Sequence, residues 1–63
     1  MLVEDIVNLI DYPDDVTITI YSYGIHDIIF TGLSEEISPN ILVRKIRGLE
    51  FTGTNCLMIN VEG

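Results

Sequence analysis

Sixty-three residues leave room for a single domain, 1–63, and a chain of this size buries only about 60% of the surface its unfolded form exposes, so its stability margin is slim. Apolar side chains make up 48% of it, enough for a packed core, but Cys56 is the only cysteine, which excludes an internal disulfide and a multi-thiolate metal site and points to oligomerisation instead. Ten acids against three bases give a net charge of −7, and such a surface repels phosphate, because nucleic-acid affinity rests on Lys and Arg releasing counterions; direct DNA or RNA binding is not expected.

The opening stretch MLVEDIVNLIDYPDD spaces Leu2, Val3, Ile6, Leu9 and Ile10 for one helical face, with Glu4, Asp5, Asn8 and Asp11 on the other. This predicts an amphipathic helix over about 2–10, with acids at its positive end and Pro13 to stop it. No apolar run is long enough to span a membrane, and no basic segment precedes an apolar one at the N-terminus, so a cytoplasmic protein without membrane contact is expected. Asp11, Asp14 and Asp15 lack the regular spacing and distant glutamate of a calcium loop, and no metal or cofactor is assigned.

VTITIYS alternates with a period of two, and HDIIFT follows after Tyr23 and Gly24, which together predict a β-hairpin. An odd-numbered loop pairs Ile20 with Ile28 and Ile18 with Phe30, which leaves Thr17, Thr19, Tyr21, Asp27, Ile29 and Thr31 on the other face. Gly24 is the residue expected to take a positive φ at the turn. His26, the only histidine, falls at the loop end. Its neighbour Asp27 points to the opposite face of a strand, and neither a serine nor Cys56 is aimed at it, so no catalytic base–nucleophile pair is assigned. His26 reads first as a hydrogen-bonded turn histidine, and the alternative is that Tyr21, Tyr23 and His26 contact a partner, since tyrosine offers large contact area for few rotors.

Beyond Leu33, Ser38 is positioned to cap a short helical turn over about 39–43 with Pro39 at its first position, and Arg44 suits its negative end. RKIRGLEF and CLMINVE then alternate again around Gly53, Thr54 and Asn55. A second hairpin follows, with Asn55 left-handed, Phe51 opposite Leu57 and Leu49 opposite Ile59. Cys56 and Met58 share the other face with Glu50 and Asn60, and Cys56 reads as a small hydrophobe.

These elements make an α+β domain: an N-terminal amphipathic helix packed on a four-stranded antiparallel sheet built from two β-hairpins joined by a short helical turn. The second sheet face, with Tyr21, Ile29, Met58 and Cys56, is too apolar for a free surface and is a candidate interface, for a homodimer or for a foreign partner. Gly24, Gly32, Gly48 and Gly53 form no phosphate-cradling pattern, so no nucleotide site is assigned.

Glu4, Asp5, Asp11, Asp14, Asp15, Asp27, Glu35 and Glu36 all precede the first basic residue, Arg44. Such an acidic half keeps a chain soluble, and it is also suited to drawing in a basic surface. The succession IDYPDD, VTITIYSYG, IIFTG, EIS, a Pro-started turn and LMINV resembles small acidic accessory proteins of phages and prophages in Gram-positive bacteria. Some of these are similar to anti-defence inhibitors, including anti-CRISPR proteins, which cover or mimic a nucleic-acid surface. The resemblance carries no site residues with it. It implies a non-enzymatic, stoichiometric inhibitor of a host protein with a basic surface, and the residues themselves supply the candidate contacts Tyr21, Tyr23, His26, Ile29, Asp14, Asp15, Glu35 and Glu36. The alternatives are an orphan structural or oligomerisation domain and a small-molecule-binding protein.

Overall fold

A computed structural model describes all 63 residues. Two short helices, α1 (Val3–Val7) and α2 (Pro39–Leu42), and four strands, β1 (Thr17–Ser22), β2 (Asp27–Gly32), β3 (Ile46–Gly53) and β4 (Cys56–Val61), make an α+β fold, with 3-10 turns at Pro13–Asp15 and Ser34–Glu36. The strand order is β2-β1-β4-β3. Both hairpins form, but they meet through β1 and β4, which run parallel, so the sheet is mixed and not antiparallel as expected. Burial explains the pairing. Ile18 and Ile20 of β1 and Leu57, Ile59 and Val61 of β4 are all buried, and placing these two strands at the centre lets one apolar face be covered from both sides.

Two segments cover that face. Residues 1–16 start beside Lys45, where Leu2 forms an antiparallel bridge and the Val3 N–H donates to the Arg44 carbonyl at 3.0 Å, and end at β1. Residues 33–45 cross from the end of β2 to the start of β3, contributing Ile37 to a core completed by Val3. The N-terminal helix is shorter than the expected 2–10. From Leu9 onward the backbone bonds tighten, with Leu9 N–H to Ile6 O at 3.0 Å and Ile10 N–H to Val7 O at 3.2 Å. Leu9 is consequently exposed although the apolar spacing included it. Asp5 accepts the Leu2 N–H at 2.8 Å, fixing the first turn.

α2 begins as anticipated, with Ser38 before it and Pro39 first, but the Ser38 side chain makes no capping bond; its backbone carbonyl takes the Ile41 and Leu42 N–H groups. The second hairpin pairs Leu49 with Ile59 and Phe51 with Leu57, and Asn55 is left-handed at φ 58°. The first hairpin departs from its expected register. Ile20 lies opposite Phe30 and Tyr21 opposite Ile28, because a β-bulge at Ile29 inserts one residue. Ile29 therefore packs against the core, and Ile28 takes its place on the far face.

Candidate functional site on the uncovered sheet face

No helix or turn covers the face opposite the core, and the register builds a recess there. Tyr21 lies opposite Asn60 across the β1–β4 pair, and Met58 lies opposite Glu50 across β4–β3. Tyr23, just past β1, is tied down by its N–H to the Val61 carbonyl at 3.0 Å. Its ring meets that of Tyr21 at 82° with centroids 5.3 Å apart, an edge-to-face pair that makes a corner. Tyr21, Tyr23, Glu50, Met58 and Asn60 line about 320 Å³.

The polar groups of the recess are fixed. Asn60 is buried although it sits on the uncovered face, and its Nδ2 donates to Glu50 Oε1 at 3.2 Å. Arg47 is the extra residue of a bulge between Ile46 and Gly48, and this irregularity directs its guanidinium over the Tyr23 ring, 4.5 Å from the centroid. The side-chain carboxylates that have hydrogen-bond partners take them from amides: Asp5 from Leu2, Asp27 from Ile28, Glu36 from Leu33 and Glu50 from Asn60. A second hollow of about 370 Å³ lies among Arg44, Lys45, Glu62 and Gly63. No hydrophobic residue lines it, and Arg44 is already engaged by the Gly63 carbonyl.

The sequence-derived contacts are divided among three places. Tyr21 and Tyr23 are in the recess, while Ile29 is on the core side. Asp14 and Asp15 lie in one 3-10 turn and Glu35 and Glu36 in the other, and the fold sets these two turns beside each other, so acids distant in sequence form one exposed patch. That patch is at the start of β1 and Tyr21 is near its end, about 13 Å along the strand at ~3.3 Å per residue. Arg47, Glu50 and Asn60 were not among the sequence-derived contacts, and Met58 was named only with the apolar second face of the sheet. The signal for three of them was the shared face of Glu50, Met58 and Asn60; the signal for Arg47 was a bulge, which alternation does not reveal.

His26 stands apart at the turn, exposed, at φ 54°, and in none of the side-chain hydrogen bonds. Histidine, not Gly24, takes the left-handed position. Gly24 serves a different need, because a Cβ there would lie 3.1 Å from the Gly63 Cα. Cys56 opens β4 opposite Thr17, at the far end of β1 from this turn, so the lone thiol and imidazole are not brought together. The turn histidine is thus defined by backbone conformation. His26→Val is expected to lower stability by about 1–2 kcal/mol, since a β-branched residue resists this region, while His26→Gly retains it. Urea midpoints of the two variants check this; equal losses would mean that the imidazole itself makes a stabilising contact.

No helix is long and apolar enough to cross a membrane. No protein-family model matches the chain, and neither the curated proteins nor the solved structures contain a significant match.

Proposed function

We propose that this domain is a non-enzymatic binding module that takes a protein partner with a basic surface on its uncovered sheet face. The observation that carries the reading is the pairing of that face, where Tyr21, Tyr23, Ile28 and Met58 remain wholly or partly accessible, with a chain of net charge −7. Accessible aromatic and apolar side chains in one patch supply contact energy, and the carboxylates supply encounter and selectivity. In the phage setting suggested by the sequence, the activity is stoichiometric inhibition of a host defence protein, with the acids standing where nucleic-acid phosphates would otherwise lie.

At about 0.15 M ionic strength the screening length is about 8 Å, so the patch of Asp14, Asp15, Glu35 and Glu36 acts at encounter more than in the docked complex. The experiment is to capture a partner from bacterial lysate at low salt, purify it, and measure association and dissociation rates across salt concentrations. Raising the salt is expected to slow association far more than it speeds dissociation. Replacing the four acids with Asn or Gln reproduces the slowing in a folded domain. A partner whose association ignores both changes overturns the electrostatic half of the reading and leaves the acids to solubility.

A second reading has its own observation. Beyond Ile46, whose N–H donates to Met1 O, the outer edge of β3 is not paired with another strand, and it carries Leu49 at 45% and Phe51 at 84% exposure. An open edge with apolar side chains is a template for a second copy. A dimer in sedimentation that Phe51→Lys dissociates assigns the domain to self-association.

A further inference from the structure

We propose that the recess formed by Tyr21, Tyr23, Glu50, Met58 and Asn60 is a binding site for one arginine side chain of the partner. The proposal rests on the binding-module reading and adds the chemistry of a single contact. The chain's own Arg47 is its first support: a guanidinium already lies 4.5 Å from the Tyr23 centroid, so the fold has put a cation on this face against an aromatic ring. The near-perpendicular ring of Tyr21 provides another wall of the same chemistry.

Glu50 supplies the opposite charge. Only its Oε1 is held, by Asn60, so the carboxylate is oriented with Oε2 still able to accept from a cation. Met58 offers a polarisable apolar wall for the methylene stem of a long side chain. The recess is shallow and open to solvent, and its roughly 320 Å³ is adequate for one extended side chain laid along the face. A guanidinium suits the site better than an ammonium. It is planar, weakly hydrated, stacks on aromatic faces and can engage a carboxylate through two donors.

The probe is N-acetyl-arginine methylamide, titrated into the uniformly labelled domain while backbone and side-chain resonances are followed by NMR. Saturable shifts are expected at Tyr21, Tyr23, Glu50, Met58 and the Asn60 amide, weaker ones with the lysine analogue, and none with the uncharged citrulline analogue. Glu50→Gln keeps an oxygen for Asn60 but removes the charge, and is expected to weaken uptake about fivefold. Arg47→Met removes a like charge and frees the Tyr23 face, and is expected to strengthen it. Arginine shifts confined to Asp14, Asp15, Glu35 and Glu36, or shifts in the recess indifferent to Glu50→Gln, overturn the arginine site while leaving the basic-partner reading in place. Polyarginine that fails to bind at low salt overturns both.

Discussion

Ile59→Ala is expected to reduce the unfolding free energy by about 3 kcal/mol, within the range of about 2–5 kcal/mol for truncating a buried isoleucine. By the usual per-residue range a domain of this length has roughly 3–9 kcal/mol in all, so this one change removes a third or more of the margin. Ile59 is fully buried on a central strand, between Ile20 of β1 and Leu49 of β3, and the neighbouring structure has little freedom to collapse into the space. Leu49 is the internal comparison. It shares the core face of the sheet but lies on the edge strand at 45% exposure, so Leu49→Ala is expected to lose under about 1.5 kcal/mol. Urea denaturation followed by circular dichroism distinguishes the two. Equal losses would mean that the β3 end of this face is covered as fully as its centre.

The same contrast shows what alternation in the sequence can and cannot specify. Period two assigned Leu57, Ile59 and Val61 to one face and Glu50, Met58 and Asn60 to the other, because successive side chains on a strand point to opposite sides whatever the strand pairs with. Strand direction leaves no such mark. Pairing β1 with β4 in parallel depends on which two strands gain most from lying in the middle, and that in turn depends on how residues 1–16 and 33–45 lie over the sheet. The α+β class was therefore legible, and the mixed order of the sheet was not. α1 failed differently: apolar spacing extended through Leu9 and Ile10, but the backbone tightened after Asn8 and left Leu9 in solvent.

The recess was half legible for a related reason. Tyr21 and Tyr23 draw attention as aromatics near a turn, and the face shared by Glu50, Met58 and Asn60 follows from alternation. Their convergence required the β1–β4 pairing, which alone places Tyr21 opposite Asn60. Arg47 required a bulge, and bulges interrupt the periodicity on which sequence reading depends. The acidic turns show the converse. Each was recognisable as an exposed polar segment, but their proximity came from the crossing of residues 33–45 and has no local signature.

A bulge can be tested directly, because it exchanges the environments of two adjacent residues. Without it, Ile28 would face the core and Ile29 the uncovered face; with it, Ile29 packs against the core and Ile28, opposite Tyr21, is 51% exposed. Ile29→Asp is therefore expected to destabilise by about 2–3 kcal/mol, since it forfeits apolar contact and forces a carboxylate toward a region with no cation to pair it. Ile28→Asp is expected to lose less than about 1 kcal/mol, the span of strand propensities, because its side chain remains in water. Denaturant midpoints for the pair give the sign. The reverse order would place Ile29 on the face with Tyr21 and Met58, restore the register expected from simple alternation, and take Ile28 out of the surface offered to a partner.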